Sequence, residues 1–129
     1  MPASLSNNNF RKSLLAAFRG IRIAGQERNV RIHFIAAALV SIAGFILKIN
    51  LTKWMIVLIL FAMVISTEFI NSALERLADM VEPNENPHVR DLKDIAAGAV
   101  LLTSIVSVII GIIIFAPEIL KFFKNIPIH

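Results

Sequence analysis

Three long apolar stretches organise this chain. Ile95 to Pro117 carries no charge, Trp54 to Thr67 is equally clean, and between Ile32 and Leu47 the one titratable group is His33. A helix needs about 20 apolar residues to cross the hydrocarbon core of a bilayer, so the outer two stretches read directly as spans. The middle one is only 14 residues long. Its apolar period continues, however, through Phe69, Ile70, Ala73, Leu74, Leu77, Ala78, Met80 and Val81. That predicts one helix from about Leu51 to Val81. At about 1.5 Å per residue it outruns the hydrocarbon and protrudes at one end.

Ahead of the spans, Met1 to Asn9 is polar and is expected to lie outside regular structure. Phe10, Leu14, Phe18 and Ile21 then recur at helical spacing, with Arg11, Lys12, Arg19 and Arg22 between them. This predicts an amphipathic helix over 10–25 lying on a membrane surface, with its cationic side toward anionic headgroups or phosphate. Gly20 and Gly25 allow a bend before the first span. Glu82-Pro-Asn-Glu-Asn-Pro87 has the turn formers of a break between helices. The expected fold is an all-α membrane protein, one domain over 1–129, with a surface helix and spans at about 30–48, 53–81 and 91–115.

Composition agrees with this layout, because 57% hydrophobic and 17% charged residues in 129 is far from the balance of a soluble globule. The basic residues set the orientation. Arg11, Lys12, Arg19, Arg22, Arg28, Arg31, Arg76, Arg90 and Lys93 fall on one side, and Lys48, Lys53, Lys121 and Lys124 on the other. The excess puts the amino terminus and the second connection in the cytoplasm. The first 30 residues are broken by charge and carry no signal-peptide pattern. Without cysteine there is no disulfide or thiol chemistry.

The candidate chemistry lies at the protruding end of the second span. Glu68, Asn71, Glu75 and Asp79 share one helical face, with the carboxyls of Glu68 and Glu75 about 10 Å apart along the axis. A carboxyl at membrane depth is costly and therefore a functional candidate. Carboxylates beside a Lys suit a hard cation and a phosphate. Mg²⁺ is typically held by one or two carboxylates together with substrate phosphates, and Glu75 and Glu27 are the candidate ligands. Lys93 would neutralise phosphate charge and Asn71 would orient an oxygen. Glu68, two turns deeper where water is scarce, is placed as a general base toward a lipid alcohol. The set suits phosphoryl transfer from a soluble nucleotide to a submerged hydroxyl.

Plainer readings stand beside these. Glu75, Arg76 and Asp79 would make a solvated helix end, Asn71 interhelical glue, Asp94 a helix cap and Lys93 a snorkelling side chain. His33 reads as a headgroup-level residue, since no second His or Cys stands at metal spacing, and Trp54 as an interfacial anchor. Neither a Walker-type loop nor a protein-kinase Gly-rich loop is present.

The run Glu68-Phe-Ile-Asn71-Ser-Ala-Leu-Glu75, then Asp79, then Lys93-Asp94-Ile-Ala-Ala-Gly98-Ala-Val-Leu, resembles the small bacterial integral-membrane lipid kinases, the diacylglycerol kinase and undecaprenol kinase family. The likeness extends from about Phe10 to Pro117. It implies a homotrimer in the bacterial inner membrane, with active sites shared between subunits, that uses Mg-ATP to phosphorylate a lipid alcohol. By motif it implies Glu68 as base and Glu27 and Glu75 as Mg²⁺ ligands. Asn71, Asp79, Lys93 and Asp94 would serve the nucleotide, with Arg11 or Lys12 and Arg19 adding basic contacts.

Two departures stand out. The segment from Gly20 to Glu27 is slightly shorter than the family pattern, and Asn86 stands where many relatives have His. The Glu27-Arg28-Asn29-Val-Arg31-Ile-His33 run looks more like the undecaprenol kinase branch. Two other classes remain open: a proton-coupled exporter using Glu68, and a non-catalytic scaffold subunit.

Overall fold

The computed structural model describes residues 3–127. Four helices follow in order: α1 Ala3–Ala24, α2 Arg28–Ile46, α3 Leu51–Val81 and α4 Pro87–Lys124. Among the described residues there is no strand. The last three helices are long and apolar enough to cross a membrane.

Helix α1 begins at Ala3, earlier than the amphipathic stretch alone predicts. No Gly or Pro interrupts the chain between Ala3 and Arg19, so nothing stops the helix from extending back. Nor does Gly20 bend it. A lone glycine costs a helix only about 1 kcal/mol, and good helix formers flank this one. The turn comes at Gly25, whose amide donates to the Ile21 carbonyl at 2.9 Å. Phe10, Leu14 and Phe18 remain exposed, and α1 makes only sparse contact with the other helices.

Helices α2 and α3 are joined by a short hairpin with defined caps. Lys48 takes a left-handed conformation, φ 52°. Its amide donates to Phe45 O at 3.3 Å and that of Ile49 to Gly44 O at 3.2 Å, the pattern of a Schellman motif. Asn50 Oδ1 then caps α3 by accepting from the Lys53 amide at 3.0 Å. Trp54 is half-buried at this end of α3. Its ring lies against Gly44, where an added Cβ would stand 2.9 Å from two ring carbons, and packs on Phe45 with centroids 4.8 Å apart.

Helix α3 is central, packing along α4 and, less extensively, on α2. Three polar ties fix the α3–α4 register. Lys53 pairs with Glu118 at the hairpin end, the Thr67 and Thr103 hydroxyls meet at 3.1 Å midway, and Asp79 pairs with Lys93 at the far end. Helix α4 outruns its apolar span at both ends. Asn86 Oδ1 caps it by accepting from the His88 amide at 2.9 Å, with Pro87 in the first turn. Lys121 and Lys124 complement the dipole of its last turn. Asp94, two turns inside, is therefore not the cap.

Candidate active site

The buried face of α3 changes character partway along. Val57, Leu60 and Val64 are followed, on the same face, by Glu68, Asn71 and Ser72. Glu68 is 3% exposed and Asn71 4%. The i, i+3, i+4 spacing that carries the apolar stripe also carries the ladder, so helical geometry alone aligns acid and core. Among the described residues the Glu68 carboxyl has no side-chain hydrogen bond or ion pair. An acidic residue buried at this depth without a cation beside it is costly to keep.

One turn on, Asn71 Nδ2 donates to Glu75 Oε1 at 3.3 Å, while Asn71 Oδ1 is buried with no partner. Thus an orphaned amide oxygen and an exposed carboxylate stand side by side. Both are hard oxygen donors of the kind Mg²⁺ takes. Asp79, a turn further, receives a hydrogen bond from Lys93 Nζ at 2.5 Å across to α4.

Glu27 occupies the N-cap position of α2, yet its side chain makes no capping bond. It accepts instead from Arg76 on α3, with Nε at 3.2 Å and Nη2 also bonded. This brings α2 to the residue next to Glu75 but turns the Glu27 carboxylate toward a cation. Within one chain, no cluster of three metal-ligating side chains forms among the described residues. Arg11 and Arg19 lie exposed on α1 and form no ion pair among the described residues, and Asp94 is likewise exposed.

The structure thus aligns Glu68, Asn71, Glu75 and Asp79 on α3, joins Asp79 to Lys93 on α4, brings Glu27 to the same end through Arg76, and leaves Arg11, Arg19 and Asp94 apart. Arg76 was missed by the sequence as a partner of Glu27. A contact across 49 positions leaves no trace in the helical period. A polar pocket beside Lys93, lined by Glu82, Glu85, Asn86 and Arg90 among others, extends the same end of the molecule.

Fold and site together define a helical membrane protein with an acidic, cation-studded site at the end of its central helix. Residues 15–115 match the family described as prokaryotic diacylglycerol kinase. The chain is 39% identical over 112 residues to an undecaprenol kinase of Bacillus subtilis, covering 86% of this chain and 91% of that protein. It is 32% identical over 115 residues to a diacylglycerol kinase of Synechocystis, covering 84% of this chain and 66% of that one. The chain belongs to the prokaryotic diacylglycerol kinase family, a family of lipid kinases.

Proposed function

We propose that this protein transfers the γ-phosphoryl group of ATP to a membrane lipid alcohol, undecaprenol before diacylglycerol, with Glu68 as general base. The observation that carries the reading is Glu68, a buried residue whose carboxyl takes part in no hydrogen bond or ion pair among the described residues, on the same helical face as Asn71 and Glu75. Glu68 takes the proton of the lipid hydroxyl as its oxygen bonds to the γ-phosphorus, and the bond to the β–γ bridging oxygen breaks to release ADP. The preference for undecaprenol rests on the greater identity to the Bacillus subtilis enzyme.

The residues fit a divalent ion. Glu75 and the unpartnered Asn71 Oδ1 offer oxygen ligands on one helix, and Glu27 adds a carboxylate at the start of α2. Mg²⁺ there would neutralise phosphate charge on the nucleotide. Lys93 supports the polyphosphate as a point charge and Asp79 holds that ammonium in place; Asp94, exposed on α4 and without a bond to either, is assigned to the nucleotide by motif alone. Because α1 is unpacked on its own chain, Arg11 and Arg19 would serve a neighbouring subunit's site, consistent with a homotrimer with shared sites. The amino terminus and this end of the bundle then face the cytoplasm, in the bacterial inner membrane.

The reading is tested with purified protein in mixed micelles, γ-labelled ATP and magnesium, offering undecaprenol and diacylglycerol side by side. Label is expected in the lipid phase, more in undecaprenyl phosphate than in phosphatidate. Transfer to neither lipid, with ATP-independent cation movement into vesicles, would overturn it in favour of an exporter.

A further inference from the structure

Below the acidic ladder the three spanning helices leave a cavity of about 540 Å³. Its walls include Ala37 on α2, Leu60 and Ile65 on α3, and Ser107 and Gly111 on α4, and its one titratable lining residue is His33. Along α4 the lining runs from Ser104 to Ile119, a depth of about 22 Å at helical rise. That exceeds half of a hydrocarbon core of about 30 Å.

The register ties place the mouth of this cavity at the reacting level. From the Glu27–Arg76 pair, His33 lies about 9 Å into α2 and Glu68 about 12 Å into α3. The Thr67–Thr103 bond sets Ser104 at the same level on α4. His33 and Ser104 in the lining, and Glu68 just outside it, therefore stand at one level, and everything deeper in the cavity is apolar apart from Ser107. A neighbour's spanning helix would have to continue past this level. A lipid alcohol ends there, with its hydroxyl among the polar groups and its tail below.

We propose that the cavity holds the hydrocarbon tail of the lipid alcohol and that His33, at its mouth, hydrogen-bonds the lipid hydroxyl beside Glu68. The inference rests on the kinase reading and adds to it a lipid-binding role for His33 and a tail path along Gly111. Since a Cβ at Gly111 meets nothing within 4 Å, a larger side chain there grows into the cavity rather than into protein. Gly111 stands about 10 Å below Ser104, so an alcohol as short as 3-methylbut-2-enol does not reach it.

The test uses full-length protein in mixed micelles, after the wild type has been shown to phosphorylate a long-chain lipid alcohol; failure at that step sinks the kinase reading rather than this one. H33L is expected to raise KM for lipid about fivefold to tenfold, the worth of one hydrogen bond, with KM for ATP unchanged and with H33Q restoring most of the loss. G111L is expected to raise KM for long-chain lipid while sparing 3-methylbut-2-enol, with the oligomer mass in analytical ultracentrifugation unaltered. Unchanged lipid KM in both variants overturns the proposal. So does a lowered mass in G111L, which would make the cavity a seat for a second copy.

Discussion

Replacing Glu68 by Gln keeps the volume and shape of the side chain while removing the atom that accepts the proton. The carboxyl has no hydrogen-bond or ionic partner among the described residues, so the amide breaks no contact that holds α3 to its neighbours. It is nevertheless 3% exposed, and no other carboxyl lies on the buried face of α3 to replace it. General-base catalysis is worth about 10²–10⁴ in rate, which at 1.36 kcal/mol per decade is about 2.7–5.4 kcal/mol of barrier. The turnover of E68Q with saturating ATP and lipid should therefore fall by about 10²–10⁴, with KM for ATP within about twofold and the detergent-solubilised oligomer intact. Single-turnover transfer of labelled phosphate measures the chemical step directly. A variant that retains more than about a third of wild-type turnover would refute the assignment, because no base contribution would be left to remove.

Three further substitutions probe the scaffold and the site's edge. G44A drives a methyl into the Trp54 ring at 2.9 Å, so it should destabilise the α2–α3 hairpin by about 1–3 kcal/mol, read as earlier unfolding in detergent by circular dichroism. N86A removes the cap bond to the His88 amide at the start of α4, an expected loss of about 1 kcal/mol, with N86D close to wild type. R76A frees the Glu27 carboxylate from an exposed ion pair, so stability should change by less than about 1 kcal/mol while the magnesium dependence of activity shifts.

The helical architecture was readable because apolar period and length are local properties. Helices α3 and α4 contain their predicted stretches, α2 stops at Ile46 and so falls two residues short of the expected 30–48, and the ladder from Glu68 to Asp79 lies on one face because four residues at helical spacing have no alternative. Helix ends were harder. The extension of α1 back to Ala3 depends on the absence of a stop signal, which hydropathy does not register, whereas α4 runs through Pro117 to Lys124 against the stop that a proline signals. Contacts between helices were least legible. Nothing in the order of residues says that Glu27 meets Arg76, that Trp54 covers Gly44, or that His33 faces a cavity ending near Glu68. These follow from how α2 and α4 rotate about α3, a property of packing rather than of any one segment's pattern.

The two ion pairs at the site edge raise a question of energetics that bears on how a polyanionic substrate enters. Glu27 bonds Arg76 and Asp79 bonds Lys93, so two of the proposed ligands begin with cations of their own chain. If such pairs were buried, separating them would cost several kcal/mol and the site would be closed. Here the side chains are 38% and 52% exposed in one pair and 65% and 35% in the other. Exposed pairs contribute about 0–1 kcal/mol, less than the free energy of a single charge-assisted hydrogen bond to phosphate at about 1.5–3 kcal/mol. Exchange of partners is therefore favourable once a triphosphate arrives. In the proposed reading Lys93, still held by Asp79, would turn its remaining protons to a phosphate oxygen, and Glu27 would exchange Arg76 for the divalent ion. Glu68 differs in kind: it is buried and has no cation to trade among the described residues, so in the proposed reading it stays with the lipid side throughout.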